Sequence, residues 1–363
     1  MIPHSLEALP TPHLLIRLDR VRSNIAHMRS LLAPHGGLSR WRPHVKTAKV
    51  RAVLELLLDA GLRDFKCATT REARVLLELA QQRGEHLDLL VAFPHRGANL
   101  TRIAELARQF PEHRLSVLSD EPEHASSLVA SGLGVFVDLD PGMGRSGAPL
   151  EARSRIRAVV GASGRSLRGL HAYEGHIRSA TSAERLATCA PIFDALCSIT
   201  EDMGCAEHEL ITSGTPTFLE ALDHSGLAAL PHRVSPGIVV YWDLNSEALG
   251  IHGFSCAASV LARVVSTPHH GRVTLDAGSK SVDASVPDPC VCAAGHDDWS
   301  ALRPSEEHLP FLVPPSSAPR VGSLVELYPK HVCPMVNLAE RCALLEGERL
   351  LEVVPVDARA HGD

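Results

Sequence analysis

Two short segments carry residues able to do chemistry together. The first is Arg42-Pro43-His44-Val45-Lys46-Thr47, which reads as the end of a strand. A lysine there, flanked by Pro and His, is placed to point into a cavity, and lysine is the side chain that forms a Schiff base with an aldehyde cofactor. A lone strand-end lysine is otherwise ordinary solvated surface, and Lys49 is expected to be that kind, opening the next helix. The second segment is His331-Val332-Cys333, far downstream. If it is extended, residues i and i+2 share a face, and imidazole and thiolate can grip one ion. Nitrogen and sulfur donors favour Zn²⁺ over Mg²⁺. Two ligands leave positions open for water or substrate, whereas an isolated His-x-Cys pair need bind nothing. Cys290-Val291-Cys292 is a rival thiol pair without a histidine at a usual spacing.

Three further segments supply polar groups. In Asp138-Leu139-Asp140-Pro141-Gly142-Met143-Gly144-Arg145-Ser146-Gly147 a strand runs into glycines that let backbone approach a ligand, and Arg145 can hydrogen-bond a cofactor oxygen while staying charged. The same pattern also fits a tight turn with a surface arginine. In Gly169-Leu170-His171-Ala172-Tyr173-Glu174-Gly175-His176, alternation puts His171 and Tyr173 on one face, suited to stacking or proton handling; a core tyrosine with a surface histidine is the plainer alternative. Ser213-Gly214-Thr215-Pro216-Thr217 joins a strand to a helical stretch, where N–H groups and hydroxyls bind phosphate. Gly237 and Ile238 can add two N–H donors. Each of these alone is also an ordinary cap or turn.

The elements that must position these groups follow from periodicity. From about residue 13 to 240, short β-branched or apolar runs alternate with longer helical patterns. Candidate strands cover 13–18, 41–46, 64–68, 87–92, 114–118, 135–140, 167–173 and 209–213. Eight strand–helix repeats predict a (β/α)8 barrel, with a doubly wound open sheet as the other arrangement. The barrel is favoured because Lys46, Asp138, Asp140, His171, Tyr173 and Ser213 fall at strand C-terminal ends, the face on which barrels build active sites. Beyond about residue 240, Pro and Gly become frequent and strands short, predicting an all-β domain with a loop-rich 285–319. The assignment is thus 12–240 for the barrel and 241–363, with 1–11, for the β-domain.

The composition, 45% hydrophobic and 21% charged with net charge −6, is that of a soluble globular chain and gives no reason to expect nucleic acid or a membrane surface as partner. Residues 1–4 do not begin a signal peptide, no apolar run is long enough to span a bilayer, and the nine cysteines show no disulfide spacing, so reduced thiols in the cytoplasm are expected.

Taken in order, Arg42–Thr47, Gly142-Met143-Gly144-Arg145, Tyr173-Glu174-Gly175-His176, Ser213–Thr217, Leu275-Asp276-Ala277-Gly278-Ser279-Lys280 and His331-Val332-Cys333-Pro334 resemble the motifs of the metal-activated D-threonine aldolase and eukaryotic-type D-serine dehydratase family, along nearly the whole chain. The resemblance implies pyridoxal 5'-phosphate, fold type III: an alanine-racemase-like barrel that binds the cofactor and a β-domain that carries a divalent metal, Zn²⁺ or else Mn²⁺ or Mg²⁺. It implies that Lys46 is the Schiff-base lysine, that Arg145 and His171 lie near the cofactor, and that Tyr173 lies near cofactor or substrate. By it, Ser213, Thr215, Thr217, Gly237 and Ile238 hold the phosphate, and His331 and Cys333 the metal. It also implies D-amino acid substrates and a homodimer. The chain departs from the family pattern at Ala48, where a histidine is common. Its Gly175-His176-Ile177-Arg178 is aldolase-like, whereas His-x-Cys resembles the dehydratases and His-x-Asp the aldolases. The metal pair is given more weight because it touches the leaving group, so a D-serine dehydratase-like lyase is expected. The alternative is retro-aldol cleavage to glycine and an aldehyde, with His176 or a hydroxide on the metal as base. A racemase and a non-catalytic cofactor carrier are the remaining readings.

Overall fold

Arg42 closes the bottom of a barrel. In the computed structural model, which describes residues 4–361, its guanidinium is wholly buried and meets Glu209 at 2.7 Å, Asp88 at 3.1 Å and Asp64 at 3.3 Å. Each of these carboxylates is the first residue of a parallel strand, so one cation neutralises three strand starts, and it also lies 5.7 Å from the Phe136 ring. Replacing Arg42 by methionine removes the cation the three carboxylates share and leaves them with the outer arginines Arg114, Arg168 and Arg233. Because the carboxylates are partly hydrated, a loss of about 3 kcal/mol is expected, read as a lowered urea midpoint.

The chain divides into two compact units, one built mainly from residues 28–46 and 54–237, the other from residues up to His27, Thr47–Val53 and Ile238–Arg359. The first strand, β1 (His13–Arg17), belongs to the second unit. The barrel unit holds β2 (Asp64–Cys67), β3 (Asp88–Val91), β4 (Arg114–Ser119), β5 (Gly134–Asp140), β6 (Ala148–Pro149), β7 (Leu167–Ala172), β8 (Glu209–Thr212) and β9 (His232–Val234). They pair in parallel in the order β2-β3-β4-β5-β7-β8-β9, with β6 against the end of β5. Parallel bridges Trp41↔Val234 and His44↔Lys66 join the two edges of this curled sheet through residues 41–44. That segment, the expected strand before Lys46, is therefore the closing stave. Buried Leu90, Leu118, Phe136 and Ile211 form an apolar cluster on these strands.

The sequence count of eight is met by a different set. β1 pairs antiparallel with β10 (Ala258–His269) and parallel with Arg341–Glu346 in a nine-stranded, mainly antiparallel sheet. Its last four residues are buried, and such a central strand reads as an unbroken apolar run whatever its neighbours do. The barrel strand in its place is β9, three residues with two polar side chains, too short for a periodic signal. The loop-rich 285–319 contains strands Val291–Ala293, Ser300–Ala301 and Leu309–Leu312. Residues 1–3 and 362–363 of the expected β-domain lie outside the described residues. No described helix is long and apolar enough to cross a membrane.

Candidate active site

In the barrel unit the polar residues gather at the C-terminal strand ends. Lys46, half-buried, follows the 41–44 stave in a turn, and its backbone N–H donates to His44 Nδ1 at 3.3 Å. The Pro236–Gly237 segment packs on that stave: Trp41 Nε1 donates to the Pro236 carbonyl at 2.9 Å. A Cβ on Gly237 would come 2.3 Å from the His44 carbonyl, so only glycine fits beside this strand end. Gly237 ends the barrel unit and Ile238 begins the other.

The Asp140–Gly147 turn is organised by its own carboxylate. Asp140 Oδ1 accepts from the N–H of Gly142 at 3.0 Å and of Gly144 at 3.1 Å, and both glycines have positive φ. Arg145 is thereby brought over Tyr173, its Cζ 5.2 Å from the ring centroid. Glycines also make room for Tyr173: a Cβ on Gly175 would lie 2.2 Å from the ring and one on Gly214 2.8 Å. His176 is exposed, its Nε2 near the Gly142 turn.

The expected phosphate turn is tight, with Ser213 buried at φ +56° and its hydroxyl 3.1 Å from Thr212 Oγ1. Thr217 donates its hydroxyl to Glu174 Oε1 at 2.5 Å. Thr215 Oγ1 and Glu174 Oε2 are buried with no partner among the described residues. Buried polar atoms are rarely left unmatched, so Thr215 suits a phosphate oxygen, and the donor-rich mouth fits a phosphorylated aldehyde cofactor.

His171 does not stand free beside Tyr173. Its Nδ1 lies 2.7 Å from Asp138 Oδ1 and its Nε2 2.9 Å from Lys66 Nζ, all three buried. Burial, then the Lys66 charge, push the imidazole down to about 4. Lys66 went unremarked in the sequence, although a lysine inside the short apolar strand Asp64–Cys67 is itself a signal.

In the second unit, the His331 segment is not extended. Val332–Leu338 is a helix with His331 at its N-cap, because Asp243 Oδ2 accepts from the Val332 N–H at 3.1 Å and stabilises the helix start. The pair nevertheless meets. Burial alone would lower the His331 imidazole, but its hydrogen bond to Cys333 and the charges of Cys333, Asp243 and Asp283 outweigh this and raise it. His331 Nδ1 lies 3.0 Å from Asp283 Oδ2, and Cys333 Sγ 3.1 Å from Thr47 Oγ1. A carboxylate on Nδ1 leaves Nε2 for a metal, a role for Asp283 invisible in the sequence. No group of three or more metal-ligating side chains occurs among the described residues, so the pair would leave coordination positions open. Asp283→Ala is expected to weaken metal binding about 10- to 100-fold, measured by competition with a chromophoric chelator.

Lys49 departs from its expected solvated place at a helix start. Lys49 is 5% exposed and donates to the Ala358 carbonyl at 3.0 Å; its positive φ ends the turn instead of opening a helix. Cys290 is buried while Cys292 is exposed, so these thiols do not share a surface.

Residues 16–245 match the family model described as "Alanine racemase, N-terminal domain", and residues 257–345 match the "Putative serine dehydratase domain". The chain is 26% identical to a D-threonine aldolase of Arthrobacter sp, covering 98% of this chain and 94% of the other. It is 28% identical to the D-threo-3-hydroxyaspartate dehydratase of Delftia sp. (strain HT23), over 76% and 73%. Its fold matches the crystal structure of D-threonine aldolase from Filomicrobium marinum with a TM-score of 0.82, at 23% identity over 98% and 97%. A cysteine-to-alanine variant of D-threo-3-hydroxyaspartate dehydratase, in the metal-free form, superposes with a TM-score of 0.79 at 21% identity over 98% and 99%.

Proposed function

Since the chain belongs to the alanine racemase N-terminal-domain family, on the branch of D-threonine aldolases and D-serine dehydratases, and is a pyridoxal-phosphate-dependent lyase, we propose that it is a metal-dependent dehydratase of β-hydroxy D-amino acids, taking D-serine or a close relative to a keto acid and ammonia. The observation that carries this reading is the His331/Cys333 pair, with its imidazole fixed by Asp283 and its thiol beside Thr47. A His-x-Cys pair is the dehydratase form in the resemblance above, and the metal-free cysteine variant of the related dehydratase supports it.

The residues divide the work. Lys46 Nζ would hold the cofactor, then take the α-proton of the substrate. Thr215, with the N–H groups of Gly237 and Ile238, would hold the phosphate; Ser213 shapes the turn, and Thr217 steadies Glu174. Arg145 and Tyr173, stacked and confined by glycines, would orient ring and substrate. Pyridoxal phosphate, when bound, supplies an electron sink for the charge left at Cα. A divalent cation on His331 and Cys333 would supply Lewis acidity at the β-hydroxyl, with Zn²⁺ favoured by the donors over Mn²⁺ and Mg²⁺. Association as a homodimer is part of this proposal.

The second reading, aldol cleavage, is favoured by one observation: His176 is an exposed imidazole by the Gly142 turn, available as a base for the hydroxyl proton. Incubation with D-serine and D-threonine separately, with and without chelator, decides. Keto acid and ammonia, lost on chelation, are expected; glycine and acetaldehyde without keto acid would reject the dehydratase.

A further inference from the structure

We propose that Lys66 is a positioning residue of the active site: across the barrel lumen it holds His171 in the neutral, Nδ1-protonated form, and its charge sets the proton affinity of the Lys46 nitrogen when that nitrogen carries the cofactor. The inference rests on the pyridoxal-phosphate reading and adds to it a residue outside the motifs that carry the resemblance.

β2 and β7 are separated by β3, β4 and β5 in the curled sheet, so Lys66 and His171 reach one another through the lumen and not along neighbouring strands. Each is the penultimate residue of its strand, which puts the contact just beneath the mouth where Lys46 emerges. The chain of contacts then runs outward: Lys66 Nζ to His171 Nε2 at 2.9 Å, His171 Nδ1 to Asp138 Oδ1 at 2.7 Å, and Ser146 Oγ to Asp138 Oδ2 at 2.8 Å. An ionised Asp138 only accepts, so Nδ1 must carry the ring proton. Nε2 then offers a lone pair, and Lys66 must be the donor.

The charges facing this amine are Lys46 and Arg42, which oppose its proton, and Asp138 and Glu174, which favour it; Arg145 faces the His171 ring. Burial, followed by the Lys46 charge, brings Lys66 down to about 7, so it sheds its proton as pH rises through neutrality. Coupling between two titrating sites is reciprocal. The Val45 N–H donates to the Lys66 carbonyl at 2.7 Å and His44 bridges to Lys66, so β2 lies directly beside the segment that carries Lys46, and a charge on either nitrogen disfavours a proton on the other equally. A purely structural lysine would brace His171 without moving that nitrogen's titration.

The test is the pH titration of the visible absorbance band of the protein loaded with pyridoxal phosphate. Removing the neighbouring charge in Lys66→Met should move the band's midpoint upward by about one pH unit. Lys66→Arg, with its permanent charge, should leave the midpoint at or below the wild-type value. In the apoprotein, nitrogen NMR of the imidazoles should show His171 as the neutral Nδ1–H form in wild type and with a raised titration midpoint in Lys66→Met. An intact band whose midpoint ignores both substitutions overturns the proposal. If neither variant folds, wild-type lysine ε-carbon NMR decides: Lys66 should titrate near neutral pH and shift on cofactor loading, and a Lys66 charged to pH 10 and indifferent to loading overturns it. Failure of wild type to develop any band defeats the pyridoxal-phosphate reading and this inference with it, whereas a band insensitive to Lys66 defeats this inference alone.

Discussion

Lys46→Ala is expected to abolish the visible band of the pyridoxal-phosphate-loaded protein and to lower turnover about 10³-fold or more, since one amine would both anchor the cofactor and move the α-proton. The expectation rests on position. The 41–44 stave is locked into the barrel by backbone bonds, Arg42 N–H to the Val234 carbonyl at 3.0 Å and Val45 N–H to the Lys66 carbonyl at 2.7 Å. The lysine that follows is therefore delivered to the C-terminal face, and the substitution should leave Tm nearly unchanged. Absorbance after loading and gel filtration checks it. A band that survives intact means another amine forms the Schiff base, and the structure points to Lys66. Lys280 is exposed and bound to Glu306 and Glu307, so it is not placed to form the Schiff base.

Cys333→Ala is expected to strip the metal and lower turnover about 10²- to 10³-fold, the several kcal/mol that a Lewis acid contributes at a departing hydroxyl. Cofactor absorbance should be retained, because no barrel residue named above as a cofactor group depends on this thiol. The substituted side chain also loses the Thr47 hydroxyl contact at 3.1 Å, a neutral interaction whose loss is small. Metal content by atomic emission, alongside turnover in chelated buffer, checks this outcome. Full activity with no bound metal would remove His331 and Cys333 from the reaction and leave the proton chemistry to Lys46 and the barrel mouth.

The sequence made the barrel legible because seven of its eight staves announce themselves as apolar runs ending in polar residues. It misplaced the remaining one for a physical reason: His13–Arg17 is buried among antiparallel and parallel neighbours alike, and burial erases the alternation that would reveal the sheet type. His232–Val234 is invisible because three residues carry no period. At the site, the glycines of the Asp140–Gly147 turn were readable as a close backbone approach; the structure finds that clash at Gly147, 2.6 Å from the Leu139 carbonyl carbon, and at Gly175 and Gly214 beside Tyr173, which no local pattern announced, whereas Gly142 and Gly144 serve through their positive φ. The His331–Cys333 pairing was anticipated on an extended segment and occurs instead at a helix start, where the N-cap residue still lies beside the second helical residue.

By itself the sequence determined residue chemistry and local spacing: a lysine at a strand end, an arginine in a glycine turn, an imidazole and a thiol one residue apart. These are properties of short stretches, written in neighbouring letters. Only the tertiary structure decided which distant charges face one another. Arg42 gathers Asp64, Asp88 and Glu209 beneath the lumen, Lys66 reaches His171 and Asp138 across it, and Asp283 fixes His331. Such partnerships join strands remote in sequence, and burial is what makes them strong: in a low-dielectric lumen a charge or hydrogen bond dictates protonation, while the same residues on a solvated surface would titrate as strangers.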